Sequence, residues 1–292
     1  MSIVERALEK NRAALKDQPL RRAGDTDAER ARGRTRQADA IDPSVRIRPL
    51  AVTLDIPACR ERRLLVTGAE TDGGAVAAYR MLRTRLLHRA RASGWTTIGV
   101  TSAGPNDGKT LTALNLALSM SRDKGREIVL LDMDMRNPSV CRTLGVQPAR
   151  ELSEFLEQGA NAQNLFFSIG SDNLLVAGGV NAISHASELL ASPKFDDLLH
   201  LVKQGVVDPI VLLDLPPVLI TDDALVVAPK IDAFMIVASE GTSGRAEVAK
   251  ALNLLADFPI AGVVLNRAAE ATQGYDYGYD ADDIKGASDK RA

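Results

Sequence analysis

The residues best suited to do chemistry in this 292-residue chain lie in one short run that ends at Lys109 and Thr110. An apolar stretch from Thr97, expected to be a buried strand, leads into Ala-Gly-Pro-Asn-Asp-Gly-Lys-Thr and then into a helix starting near Leu111. Glycines let backbone N–H groups approach a polyphosphate, the lysine neutralises its oxygens, and the threonine hydroxyl ligates Mg²⁺. The N-terminal end of the helix dipole adds positive electrostatic potential where the phosphates would bind. The candidate phosphate-binding residues are Gly104, Asp107, Gly108, Lys109, Thr110 and Leu111, although Ala103 stands where the strict pattern has glycine.

Carboxylates follow two further apolar stretches. Asp132 and Asp134 end the stretch that starts at Ile128, and their spacing of two places them on one side of an extended chain. A third aspartate, Asp214, ends the stretch from Ile210, and two prolines then stop the strand. Such carboxylates hold Mg²⁺ or accept a proton. For each aspartate alone, the simpler alternative is a solvated residue after a strand. Coincidence is a poor explanation for all of them together, because Lys109, Asp132 and Asp214 follow three different predicted strands.

The motifs resemble those of the bacterial tyrosine kinases of capsule and exopolysaccharide synthesis, which carry Walker A, A′ and B motifs. The resemblance runs from roughly Ala78 to Tyr279. Its six motifs are the run 78–84, Asp-x-Asp-x-Arg-x-Pro at 132–138, Ser-Glu-Leu-Leu at 187–190, Leu-Asp-Leu-Pro-Pro-Val-Leu at 213–219, Asp-Ala at 223–224, and Gly-Val-Val-Leu-Asn-Arg at 262–267. The opening Ser2-Ile-Val-Glu resembles, over about ten residues, the exosortase-associated (PEP-CTERM) type of this family.

Our mechanistic hypothesis assigns roles to these residues. ATP with Mg²⁺ binds in the loop with Lys109 on the phosphates, and Asp132 helps to deprotonate a tyrosine hydroxyl. The metal ligands are Thr110, Asp132 and Asp214, and Asp134 supports the metal site. By resemblance, Asn266 contacts adenine. Arg136 orients the Walker A′ loop or contacts phosphate, with a surface ion pair as the alternative.

Three of the four tyrosines of the chain, Tyr275, Tyr277 and Tyr279, lie within five residues among glycine and aspartate. This composition favours a flexible tail over an edge strand. In the resembled family such a cluster is the autophosphorylation substrate, and we expect it to be phosphorylated in trans. The resemblance also implies a homo-oligomeric ring, but Ala77 replaces the glutamate of the ring motif while Arg80 and Arg83 remain. Leu215 likewise replaces the residue, often threonine, that follows the Walker B aspartate.

Composition fits an α/β protein, with 45% hydrophobic and 25% charged residues. Two cysteines make no disulfide framework, and no apolar run is long enough to span a membrane. We therefore expect a cytoplasmic protein, and the resemblance implies that a partner holds it at the inner face of the cell membrane. The resemblance implies that this partner is a membrane chain-length-determinant (polysaccharide co-polymerase) protein that activates the kinase, and that a phosphotyrosine phosphatase reverses the modification. Residues 1–91 carry 20 Lys and Arg against 12 Asp and Glu, but aromatic residues for base stacking are missing there, so nucleic-acid binding is disfavoured.

The pattern predicts an α/β P-loop NTPase fold, a mostly parallel sheet flanked by helices. Strands are expected near 97–102, 127–132, 173–177, 209–214, 233–238 and 260–265. The predicted organisation is an amphipathic helix over 1–16, a basic and largely disordered linker over 17–74, the kinase domain over 75–267 and a flexible tail over 268–292.

Two other functions stay open at this point. A regulatory ATPase of the related partitioning type would carry an extra lysine where this chain has Gly104, and it would end in an amphipathic helix rather than in tyrosines. A nucleotide-bound scaffold of a polysaccharide exporter is the non-enzymatic alternative. A dinucleotide oxidoreductase is improbable, because the Gly-Lys-Thr ending and the strand-end aspartates suit a metal-bound triphosphate.

Overall fold

The computed structural model describes residues 46–65, 74–159, 162 and 164–268. An eight-stranded sheet forms its centre, with the strand order β1-β4-β5-β3-β6-β2-β7-β8. The strands are β1 Leu50–Val52, β2 Thr97–Ser102, β3 Ile128–Asp132, β4 Phe167–Ile169, β5 Ser171–Ala177, β6 Ile210–Asp214, β7 Ala233–Ser239 and β8 Ile260–Asn266. All neighbouring pairs are parallel except β4 and β5, which form an antiparallel hairpin.

The six predicted strands are therefore present, and the predicted α/β fold is confirmed. The central strands β2, β3 and β6 are buried at every residue. The apolar runs of β3 and β6 are typical of parallel strands covered on both faces of the sheet. Because parallel strands end at one edge, the residues after β2, β3 and β6 meet there.

Helices cover both faces of the sheet. They are α1 Ile56–Glu61, α2 Gly74–Ser93, α3 Lys109–Met120, α4 Val140–Leu144, α5 Leu152–Gln158, α6 Ala186–Ala191, α7 Pro193–Gly205, α8 Asp223–Val227 and α9 Arg245–Leu254, with a 3₁₀ turn at Ala228–Lys230. One core lies on the side of α1 to α4, and the other lies on the side of α5 to α9. None of the helices in the described part of the chain is long and apolar enough to cross a membrane.

The expected boundary of the folded domain needs a correction. Part of the predicted linker, residues 46–65, is folded: β1 pairs with β4, and Asp55 caps α1 by accepting a hydrogen bond from Ala58 N at 3.1 Å. The Leu65 N–H also donates to Asn115 Oδ1 of α3 at 2.8 Å. A three-residue strand and a six-residue helix are too short for a periodic sequence signal. The predicted helix over 1–16, the remainder of the linker up to residue 45 and the tail beyond 268 lie outside the described residues.

Candidate active site

The loop between β2 and α3 has the shape that phosphate binding requires. Gly108 lies just before Lys109, with φ of 88°, a region that disfavours side chains. A Cβ at this position would lie 2.2 Å from Asn266 Nδ2, so only glycine fits. The loop therefore opens directly onto the first backbone N–H groups of α3, which have no partner inside the helix.

The ends of β7 and β8 support this loop from one side. Asp107 is almost fully buried, and its carboxylate accepts hydrogen bonds from Ser243 Oγ at 2.6 Å and from the Gly104 N–H at 3.3 Å. The Asn266 side-chain amide donates to the Asp107 carbonyl at 3.0 Å, and Arg267 donates to the Asn106 carbonyl at 3.0 Å. Asp107, predicted as a nucleotide contact, thus has its carboxylate engaged in holding the loop.

Lys109 and Thr110 contact the carboxylates that end the neighbouring strands. Lys109 Nζ lies 2.7 Å from Asp134 Oδ2 and 3.7 Å from Asp214 Oδ1. The Thr110 hydroxyl donates to Asp214 Oδ2 at 2.6 Å and lies 2.9 Å from Ser139 Oγ. Burial lowers the pKa of Lys109, but Asp214 and Asp134 outweigh that effect and raise it overall. Lys109 is therefore a positively charged group at the foot of the loop.

Asp132 and Asp214 lie directly opposite each other in the register of β3 and β6. Asp132 Oδ2 accepts hydrogen bonds from the N–H groups of Ser139 and Val140, both at 2.9 Å. Burial, with the charge of Asp214 in second place, raises the pKa of Asp132 to about 8. Burial also raises the pKa of Asp214, against the opposing effects of Lys109 and Thr110. Two buried carboxylates side by side are costly without a cation or a proton between them.

One oxygen on each of these aspartates lacks a hydrogen-bond partner. Asp132 Oδ1 and Asp214 Oδ1 are both fully buried, and the nearest charge to the latter is Lys109 Nζ, too far for a hydrogen bond. In the described ranges, no group of three or more His, Cys, Asp or Glu side chains suits a metal ion. A divalent cation here would therefore combine these carboxylates and the Thr110 hydroxyl with oxygens of a bound phosphate. All of these are hard oxygen ligands, which fits Mg²⁺.

The side chain of Arg136 forms its hydrogen bonds with residues outside the phosphate loop. Its guanidinium donates to both carboxylate oxygens of the fully buried Asp223, at 2.9 and 3.2 Å. It also donates to the Ser184 carbonyl and to Ser187 Oγ, both at 2.7 Å. Arg136 therefore joins the segment after β3 to α6 and α8. Arg136 thus forms an ion pair with a buried aspartate rather than a surface ion pair, and its predicted roles in orienting the Walker A′ loop or contacting phosphate stay predictions.

The other predicted residues occupy three kinds of position. Asn266 is the last residue of β8, and its side chain lies against Gly108. Leu111 is partly buried against the core on the side of α3. A Cβ atom at Gly104 would meet no other atom within 4 Å. The tyrosines of the tail lie outside the described residues. Sequence reasoning missed Ser139 and Ser243, which contact Thr110 and Asp107. A single serine in a loop carries no pattern that could have revealed them.

The loop, the paired aspartates and the parallel sheet define a P-loop NTPase of the ParA type. A family model described as "ParA: NUBPL iron-transfer P-loop NTPase" matches residues 95–276, more than half of the chain. The tyrosine-protein kinase CpsD of Streptococcus pneumoniae serotype 4 is 32% identical over 176 residues, which cover 58% of this chain and 75% of that protein. The chain belongs to the bacterial tyrosine-protein kinases.

Other comparisons agree with this family. The tyrosine-protein kinase wzc of Salmonella typhimurium is 30% identical over 225 residues, 75% of this chain but only 30% of that longer protein. Among solved structures, the chimerical protein CapA2B2 matches with a TM-score of 0.60 and 26% identity, over 65% of this chain and 83% of that one. The VpsO kinase domain matches with a TM-score of 0.59 and 25% identity, over 67% and 96%. The predicted family and the predicted class of enzyme, a protein-tyrosine kinase, are confirmed; the exosortase-associated subtype stays a prediction.

Proposed function

We propose that this kinase binds ATP with Mg²⁺ at the β2–α3 loop and phosphorylates the tyrosines of its own tail, Tyr275, Tyr277 and Tyr279. The observation that carries the proposal is the convergence of Lys109, Thr110, Asp132 and Asp214 at the carboxyl ends of three neighbouring strands. Phosphoryl transfer depends on positioning and charge neutralisation, and this set supplies both.

Each residue has a role in the proposed mechanism. Lys109 exchanges its contact with Asp134 for the phosphate oxygens, while Gly108 and the start of α3 offer backbone N–H groups to them. Thr110, Asp132 and Asp214 would hold Mg²⁺, and Asp134 would support that site. Mg²⁺ supplies further positive charge to the phosphates when it is bound. The tyrosine oxygen forms the new bond to phosphorus, the bond from that phosphorus to the leaving ADP breaks, and the hydroxyl proton passes to Asp132.

Loss of the loop lysine tests the assignment of the site. Lys109→Met removes the charge that neutralises the phosphates, and we expect phosphotyrosine formation to fall by about 100-fold or more, as for other groups that stabilise transition-state charge. The matched control is Lys124→Met, because Lys124 is an exposed lysine outside the site. Mass spectrometry of the tail after incubation with ATP and Mg²⁺ gives the readout. Full phosphorylation in the Lys109 variant would overturn the assignment.

We further propose that the acceptor tail comes from another copy of the chain. The test mixes Lys109→Met, which keeps its tyrosines, with a Tyr275→Phe/Tyr277→Phe/Tyr279→Phe variant, which keeps its lysine. Phosphate on the first protein is the expected result. If neither protein is phosphorylated in the mixture although the unaltered chain phosphorylates itself, transfer occurs within one chain.

The wider setting is also a proposal. It rests on the named relatives and on the absence of a membrane-spanning helix in the described part of the chain. We propose that the protein works at the inner face of the cell membrane, bound to a membrane chain-length-determinant activator, that a phosphatase reverses its modification, and that it regulates exopolysaccharide polymerisation or export. Binding of the purified protein to the cytoplasmic segment of such an activator, with a rise in phosphotyrosine, is the supporting result.

A switch ATPase is the second candidate, because the ParA-type family model covers the whole nucleotide site. In that case the same residues would hydrolyse ATP and the change of state would govern a partner. Such a protein would release phosphate to water and leave its tyrosines unmodified. The kinase relatives and the tyrosine-rich tail favour the first proposal.

A further inference from the structure

Helix α2 carries an unusual charge pattern. It contains five arginines, one histidine and no aspartate or glutamate. Because successive residues of a helix are rotated by about 100°, three of the arginines and the histidine lie on the solvent-exposed side of α2. We call this side the arginine face; its members are Arg80, Met81, Arg85, His88 and Arg91, and all are exposed. A basic surface of this kind attracts an anionic partner.

Nothing in the described part of the chain neutralises the arginine face. The helix packs on α3 and β8, and neither of these elements contains an acidic residue. Arg80, Arg85 and Arg91 form no ion pair within residues 46–65, 74–159 and 164–268. The other two arginines turn inward: Arg83 donates to the Ser119 carbonyl at 2.8 Å and Arg89 donates to the Ala261 carbonyl.

The tail of the chain starts beside this helix. Because α2 is followed at once by β2, its last turn lies at the amino ends of the parallel strands. The contact of Arg89 with Ala261, the second residue of β8, confirms this placement. The first half of α2 therefore lies next to the carboxyl end of β8. The chain leaves the sheet from that end, after Ala268.

The tail has the opposite charge. Between residues 270 and 284 it contains five acidic residues and no lysine or arginine; the acidic residues are Glu270, Asp276, Asp280, Asp282 and Asp283. Fifteen extended residues reach up to about 50 Å, and the 20 residues of α2 span about 30 Å. The tyrosine rings can stack on guanidinium groups. Met81, which is 55% exposed, offers them an apolar contact.

We propose that residues 270–284 dock on the arginine face of the same chain, and that negative charge on the tyrosines strengthens this docking. The second part rests on the proposed function, because phosphorylation would add about 1.5 to 2 negative charges per tyrosine. A docked tail is withdrawn from the active site of a neighbouring copy. It also covers Arg80, a residue of the predicted ring motif. Phosphorylation of the tail would thereby limit further phosphorylation.

The test measures the approach of the tail to α2 in the full chain. A Met81→Cys/Ala281→Cys pair is joined by a bifunctional maleimide; the native cysteines Cys59 and Cys141 are buried. The background is Lys109→Met, so that phosphorylation cannot vary. Charge is then added without any kinase by Tyr275→Glu/Tyr277→Glu/Tyr279→Glu. This design separates a failure of docking from a failure of the proposed kinase function.

We expect cross-linking within one chain, accelerated several-fold by the added glutamates. Arg85→Glu/Arg91→Glu, which leaves the ring motif intact, should slow it by at least ~5-fold, as should 0.5 M salt, since exposed charges are screened. Arg60→Glu on α1 is the matched control and should have no effect. If the double variant fails to fold by circular dichroism, Arg85→Gln/Arg91→Gln replaces it. An unchanged rate in the double variant, or cross-links only between chains, would overturn the proposal; the latter would indicate a second copy as the partner.

Discussion

At the scale of single residues, the pair of buried carboxylates Asp132 and Asp214 makes the stability of the protein depend on pH. The folded chain holds a proton on Asp132 up to a pKa of about 8, whereas the unfolded chain releases it near 3.8. The folded state therefore binds more protons between these values, and the free energy of unfolding contains a contribution that falls as pH rises from about 4 to 8.

Substitution of Asp132 should remove this dependence on pH. The expected slope from the one carboxyl is at most about 1.4 kcal/mol per pH unit, and Asp132→Asn should flatten the curve by that contribution. Urea unfolding of the nucleotide-free protein at several pH values between 5 and 8 gives the measurement. Equal slopes in the variant and the unaltered protein would show that the buried carboxyl is ionised throughout.

The ion pair of Arg136 with Asp223 should contribute to stability because one partner is wholly buried. Asp223→Ala leaves the guanidinium without its two carboxylate contacts, and we expect a loss of about 2–4 kcal/mol in the free energy of unfolding. Asp196→Ala is the control, since Asp196 is 57% exposed in its pair with Lys230 and should cost less than about 1 kcal/mol. Chemical denaturation compares the two. Equal losses would mean that the Arg136 pair is no more than a surface contact.

At the scale of elements, the loop between β2 and α3 must keep a left-handed residue against Asn266. Gly108→Ala would strain the backbone and place a methyl group on the Asn266 side chain, so we expect nucleotide affinity to fall by about 10-fold or more. Gly94→Ala is the matched control: its φ of 71° carries similar strain, but nothing lies within 4 Å of the added carbon. Titration with a fluorescent ATP analogue measures both. Unchanged affinity in Gly108→Ala would contradict the proposed placement of the nucleotide.

The edge strand β1 should mark the true beginning of the folded domain. Deletion of residues 1–45 leaves β1 in place, so we expect the midpoint of thermal unfolding to stay within about 2 °C. Deletion of residues 1–53 also removes β1, the packing of Ile47 and Val52 and the Arg46–Glu127 ion pair, and it should lower the midpoint by several degrees. Equal midpoints would show that β1 adds no stability and that the folded domain begins after this strand, at α1 or later.

The central strands were predictable because they are buried on both faces and end in functional residues. β3 and β6 each form an apolar run that ends at an aspartate, and β2, although it contains buried Thr and Ser residues, leads directly into the glycine-rich loop with its lysine. β1 and β4 were missed, since each has three residues and depends on its neighbours for pairing. The contacts of Ser139, Ser243 and Arg136 were also beyond the sequence, because they join segments far apart in the chain.

At the scale of the whole molecule, the charges are divided between a basic first part and an acidic second part, and the proposed docking brings the acidic tail to the basic helix α2. Residues 92–292 hold 16 Lys and Arg against 26 Asp and Glu, whereas the first 91 residues, which include most of α2, are basic. The residues proposed to bind the nucleotide all lie within the described part of the chain, whereas the proposed acceptor tyrosines lie beyond it. If transfer occurs between copies as proposed, oligomeric assembly and the position of the tail would govern how often the tyrosines meet the site.

One measurement tests the kinase proposal most directly: the number of ADP molecules formed per phosphotyrosine in the full chain incubated with ATP and Mg²⁺, with and without an activator segment. ADP is quantified by chromatography and phosphate is mapped by mass spectrometry. We predict about one ADP for each phosphate gained, with the phosphate on Tyr275, Tyr277 and Tyr279. ADP formed in large excess over an unmodified tail, even with activator present, would contradict it and identify a switch ATPase.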